Sequence, residues 1–296
     1  MQTGLGWAIT SGITMLLIIL DGKVALASAS AGLELCLRTV IPGLFPFLIL
    51  SQWINRGLGG YRIPLLGKLL PSGCEGISVC AFLGGYPVGA RAVGQAYEQG
   101  KITRQQGEKM LAFCNQSGPA FIFGVAAAMF SRRWMGWVLW GIQLLSALIV
   151  GICVRTPKAT PSARVSGNFH QKDAMSEAVR TMGVICGWIL LFRIILGFLD
   201  RWVLWLFPDP MQVIVYGLLE LSNGCCLLGR ISDEALRFVI CSGLLSAGGI
   251  CIAMQTASVS NGLRLHWLIL GKCLQSLISI ALSILFLWIS KITVAF

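Results

Sequence analysis

"GGYPVGAR", Gly84 to Arg91, interrupts an apolar run that extends from Ile77 to Leu83. A segment in lipid must pair its own backbone N–H and C=O groups, because each one left unpaired costs several kcal/mol. Two glycines and a proline at that depth signal main chain that finds its partners in neighbouring protein or in a wet cavity. Three more stretches read the same way: "NQSGP" (115–119), "ELSNG" (220–224) and "SAGG" (246–249). The first pairs with the third and the second with the fourth if the chain is a duplicated unit. Glycine and proline are also common in membrane helices, where they allow close packing or a kink. That reading suits one interruption better than four in matched positions, which point to a transport site.

The rest of the chain supports a membrane setting. It has 296 residues, 56% hydrophobic and only 12% charged, with a mean hydropathy of +0.78. Soluble domains carry about 25% charge, so this chain cannot cover a surface facing water. The net charge of +11 falls between apolar segments, as the positive-inside bias and anionic lipid require. No basic run interleaved with aromatics occurs, so nucleic acid is not an expected partner. The eleven cysteines lie mostly in apolar runs without CxxC spacing, and His170 and His266 are far apart. Cysteine then acts as a small buried apolar side chain, and no metal site is expected.

Apolar segments occur near 5–20, 39–54, 76–90, 110–130, 134–154, 183–206, 211–229, 238–259 and 266–290. "ALASASA" (25–31) has the small residues of a cleavage site. "MQTGLGW" lacks a positive n-region, however, so the first segment is expected to stay as a helix. The polar stretch 155–182 reads as a cytoplasmic linker. It separates a first repeat, 31–154, from a second, 183–290, within one transmembrane domain spanning 1–296. "LRTVIPGLFPFLIL" (37–50) aligns with "VRTMGVICGWILLF" (179–192), and 101–124 with 230–253, sharing Arg38/Arg180, Thr39/Thr181, Ile102/Ile231 and Ser117/Ser246. Nine crossings would place corresponding segments an even number apart and make the repeats parallel. Inverted repeats need one re-entrant element per half, and "TVIPGLFPFLIL", with Pro42 and Pro46, is a candidate.

Glu220 has no basic neighbour in sequence. An acid at membrane depth faces a cavity or a partner, so it is the candidate for ion coupling, against the alternative of a structural, hydrogen-bonded carboxyl group. Asn115, Gln116, Ser117, Ser222, Asn223 and Ser246 offer neutral donors and acceptors to a polar substrate, or else bond helix to helix. Gly85, Tyr86, Pro87, Arg91 and Gly118 complete the substrate-binding set. Arg38 and Arg180 each follow an acid by one turn, Glu34 and Glu177, and read as ion-paired helix starts. Thr103 reads as a helix cap, and "SRRWMGW" (131–137) as an interfacial anchor. No nucleophile–base pair or phosphate loop occurs, so no catalytic residue is assigned and an enzyme is not expected.

Gly85-Tyr86-Pro87 with Gly89-Ala90-Arg91, then Phe113-Cys114-Asn115 with Ser117-Gly118-Pro119, resemble the YlbJ (SpoVV) family of sporulation integral membrane proteins, within the nucleoside-recognition (Gate) domain proteins. "PGLFPF" (42–47) and "LLELSNG" (218–224) also fit, and the resemblance covers about 31–260. It implies a fold similar to concentrative nucleoside transporters, with two inverted repeats, re-entrant hairpins and elevator movement. It also implies movement of dipicolinate, a small aromatic dicarboxylate, across the outer forespore membrane. The expectation is an all-α polytopic membrane protein, a secondary transporter of a small polar or anionic metabolite. The alternatives are a nucleoside or other small-metabolite transporter, or a non-transporting structural protein of spore assembly. The expected partners are a small-molecule substrate and the lipid bilayer, with a homo-oligomer allowed. No cofactor is expected beyond a coupling proton or Na+.

Overall fold

The computed structural model describes residues 2–58, 75–154 and 171–294. The regular elements among them are all helical. The N-terminal helix α1, Gln2–Leu20, leads into α2, Gly22–Leu35, which starts where the Asp21 carboxylate accepts from the Val24 N–H at 3.3 Å. A π turn, Cys36–Val40, joins α2 to α3, Ile41–Leu58. Gly22–Leu50 is apolar enough to cross a membrane as one span. Pro46 lies inside α3, where it leaves the Pro42 carbonyl without its helical donor but does not reverse the chain. The expected re-entrant turn in "TVIPGLFPFLIL" is therefore replaced by a proline-containing crossing.

The re-entrant elements lie elsewhere. Helix α4, Glu75–Gly84, and helix α5, Val88–Glu98, have 10 and 11 residues. At 1.5 Å per residue each reaches about half of a ~30 Å hydrocarbon core. Gly85, at φ +71°, opens the turn between them. The arms lie against each other, since a Cβ built on Gly89 would fall 2.8 Å from the Ala81 Cβ. The second hairpin joins α10, Asp209–Leu219, to α11, Leu221–Leu227. Its arms touch through glycine, with a Cβ on Gly224 falling 2.3 Å from the Gly217 Cα.

Each hairpin is followed by a broken helix. In the first half α6, Arg104–Cys114, begins at a capping box formed by Thr103 and Gln106. It unwinds over residues 115–118 and resumes as α7, Pro119–Phe121, with turns Ile122–Ala126 and Ala127–Met129. In the second half α12, Glu234–Ala247, is capped by Asp233, breaks at Gly248 (φ +76°) and resumes as α13, Gly249–Val259. Unbroken helices complete the fold: α8, Met135–Val154, α9, Gln171–Trp202, and α14, His266–Val294. Of the expected linker, 155–170 lies outside the described residues, and 171–182 already forms the first turns of α9.

Six helices among the described residues are long and apolar enough to span a membrane. Three lie before the 155–170 stretch and three after it, with one hairpin on each side. The outer face carries Ile9, Leu16, Leu145, Ile152, Leu277 and Ile284 exposed, as expected of side chains whose solvent is lipid. The chain is a polytopic all-α integral membrane protein.

Candidate functional site

The four interruptions converge, and they do so main chain to main chain. At the first hairpin tip, a Cβ on Gly85 would fall 2.4 Å from the Gly118 nitrogen, in the first helix break. At the second, a Cβ on Gly249 would fall 2.7 Å from the Gly217 carbonyl oxygen. Each hairpin thus closes on the broken helix of its own half. The halves are then joined by Tyr86, whose hydroxyl donates to the Leu245 carbonyl at 2.6 Å, while the Ser117 hydroxyl donates to the same oxygen at 3.0 Å. A Cβ on Gly248 would fall 3.0 Å from that tyrosine hydroxyl. The second helix break is therefore a glycine where the first hairpin needs room.

Between these parts lies a cavity of about 30 Å³ whose polar lining comes from Tyr86, Gly118, Glu220, Ser222 and Gln255. A single water needs roughly 10–15 Å³ on this measure, so the space suits water and not a ring-sized solute. Val40, Ile185 and Ile252 supply apolar walls. Glu220, 2% exposed, ends α10 in extended backbone and caps α11. Its carboxylate accepts from the Ser222 N–H at 3.1 Å, the Asn223 N–H at 2.8 Å and the Asn223 side-chain amide at 2.7 Å. The cap anchors the acid at the tip, and the tip presents it to the cavity.

The other sequence candidates are distributed around this centre. Gly85, Tyr86 and Pro87 form the first tip, and Gly118 the adjoining break. Asn115 donates to the Thr256 hydroxyl at 2.8 Å, tying the first break to α13. Gln116 is fully buried and accepts from Gln275 at 3.4 Å. Ser222 lines the cavity, and Asn223 is held by Glu220. Two candidates lie away from the cavity. Arg91 points to the start of α9, donating to the Glu177 carbonyl at 2.9 Å and pairing with its carboxylate at 3.1 Å. Gln95 donates to the same carboxylate at 3.2 Å, so Glu177 serves the first hairpin where an ion pair with Arg180 was expected. Ser246 belongs to a buried network outside the cavity lining, bonded to Gln143 at 2.8 Å and to Ser279 at 2.5 Å, which reaches Gln275 through the Gln143 carbonyl and the Ser146 hydroxyl, each at 3.4 Å. The expected Arg38–Glu34 pair is present at 3.1 Å.

The sequence reading missed Lys272. It lies on α14, buried, with its Nζ donating to Gln275 Oε1 at 3.0 Å and lying 5.1 Å from the centroid of the Tyr86 ring. The signal was available, since Lys272 is the one Lys, Arg, Asp or Glu inside the 25-residue span His266–Ser290. Such residues are functional candidates by default. Attention to helix breaks passed over it because α14 is unbroken. Gln143, Ser146 and Ser279 were missed for the same reason: they lie on continuous helices.

No protein-family model matches the chain, and no solved structure matches it. The chain is similar to the sporulation integral membrane protein YlbJ of Bacillus subtilis (strain 168), 24% identical over 327 aligned positions that cover 92% of this chain and 79% of the relative. A match of that reach runs through both hairpins and both broken helices, and it supports the resemblance to the YlbJ family of sporulation integral membrane proteins that the motifs carry.

Proposed function

We propose that this protein is a secondary transporter of a small polar or anionic metabolite, built as two inverted repeats, and that its cargo is dipicolinate crossing the outer forespore membrane during sporulation. The observation that carries the proposal is the convergence of both hairpin tips and the first helix break on one cavity bearing Tyr86, Glu220 and Ser222, with the second break packed against the Tyr86 hydroxyl. Two short hairpins turned back at half depth are costly to build in lipid, and transporters use such interrupted elements to bring main-chain polar groups to a substrate. Three spans per half are an odd number, as inversion requires. The relative's name supplies the link to sporulation. In this reading Glu220 couples transport to a proton or cation, and the site carries out no covalent chemistry.

The test is uptake into proteoliposomes of purified protein, with labelled dipicolinate and labelled nucleosides compared side by side. Saturable dipicolinate uptake supports the proposal. Uptake of a nucleoside alone would transfer the site to a nucleoside substrate, and uptake of neither would leave a structural role in spore assembly.

A further inference from the structure

Tyr86 stands between two of the buried ionisable groups of the core: it lines the cavity with Glu220 and lies beneath the Lys272 ammonium. The two are not equally provided for. Glu220 accepts three hydrogen bonds. Lys272 has three N–H donors but one hydrogen-bond acceptor among the described residues, the Gln275 side-chain oxygen, and no carboxylate within ion-pair distance. A cation held this way in a low-dielectric interior lacks its counter-charge.

A second, independent observation points to what is missing. The Gln275 amide that holds Lys272 also donates to Gln116 Oε1 at 3.4 Å, and the Gln116 nitrogen, fully buried, has no acceptor. Lys272 and Gln116 are thus fastened to one amide, and both have unused N–H groups. What would satisfy them is an acceptor carrying negative charge. Packing holds the pair at the first break: a Cβ on Gly271 would fall 2.6 Å from the Ala112 carbonyl oxygen, so α14 lies against the end of α6 with nothing larger than hydrogen between them.

We propose that Lys272 and Gln116 form the anion-binding subsite of the transporter, taking one carboxylate of an aromatic mono- or dicarboxylate, with the Tyr86 ring covering the ammonium until the carboxylate replaces it. The proposal rests on the anion-transport reading and removes a difficulty in it. Glu220 alone would repel an anionic cargo, and Lys272 supplies the opposing charge within the protein. No bound metal cation is needed for that purpose.

The experiment is thermal unfolding of the purified full-length protein in detergent, titrated separately with benzoate, isophthalate and uridine. The wild-type midpoint rises with the carboxylates. In Lys272→Met and in Lys272→Gln the half-effective carboxylate concentration increases roughly ten- to a hundredfold, the loss of a charge-assisted hydrogen bond, and Lys272→Arg recovers part of it. Gln116→Leu shifts it by a smaller factor. The unliganded midpoint of Lys272→Met stays level or rises, because an uncompensated buried charge has been removed, so a lost response cannot be attributed to misfolding. A wild-type response to carboxylates that both neutral variants share overturns this subsite and leaves anion transport standing. A wild-type response to uridine alone overturns both.

Discussion

Tyr86 reaches 159 residues along the chain to donate its hydroxyl to the Leu245 carbonyl at 2.6 Å, and this bond fastens the first hairpin to the second broken helix. The acceptor is shared with Ser117 at 3.0 Å, so the carbonyl keeps one donor if the other is lost. Tyr86→Phe is therefore expected to cost about 1 kcal/mol and Ser117→Ala about the same. The double variant costs more than the sum, by about 0.5–2 kcal/mol, because the buried oxygen is then orphaned. Chemical denaturation of the four proteins in detergent checks the cycle; strict additivity would mean that the two bonds are independent.

Gly85 and Gly100 have nearly the same backbone angle, φ +71° and +66°, but different surroundings. A Cβ on Gly100 meets nothing within 4 Å, while one on Gly85 meets the Gly118 backbone. Gly100→Ala should cost only the left-handed penalty, about 1–2 kcal/mol. Gly85→Ala should cost that and the separation of tip from break, and yield little folded protein. Size-exclusion profiles and unfolding midpoints would separate the two, and equal losses would remove the case for a tip-to-break seam.

Replacing Glu220 by glutamine preserves the shape of the cap and removes the acid. The expected result is a folded transporter whose uptake no longer responds to a proton or cation gradient. Glu220→Ala should in addition lose about 0.5–2 kcal/mol from the missing cap. Uptake measured with and without each gradient decides the point. Unchanged gradient dependence in Glu220→Gln would make the carboxylate a structural cap alone.

Arg91 pairs with Glu177 at a position where the two side chains are 15% and 36% exposed. Screening limits such a pair, so Arg91→Ala should destabilise by about 1 kcal/mol. It should leave the concentration for half-maximal uptake within about twofold, since the residue is outside the cavity, and Arg91→Lys loses one of the two bonds to Glu177. A tenfold change in that concentration would return Arg91 to the binding site.

The breaks were legible because glycine and proline act locally: Gly85, Pro87, Gly118 and Gly248 each mark a place where the helix cannot continue as it was. Whether the chain turns back or continues was not legible, since that depends on what packs against it. Pro42 and Pro46 looked like a hairpin tip and are accommodated in a crossing. "ELSNG" looked like an extended break, but the chain departs from helix at Glu220 alone. Partners distant in sequence were equally out of reach. Arg91 meets Glu177 86 residues away, and nothing near either residue specifies the pairing. Lys272 was readable as a charge in an apolar helix, but its position over the Tyr86 ring was not.

The contact between Gly85 and Gly118 also constrains how the site can open. Side chains that interleave can ratchet past one another by changing rotamer, but two glycines facing each other have no such gears. The first hairpin and its broken helix keep this main-chain contact only where they travel together as one piece. An opening stroke that leaves this seam intact would carry the hairpin, the break and the Gln116 amide as a single cargo-bearing block, and the resistance to its movement would arise at its outer surfaces.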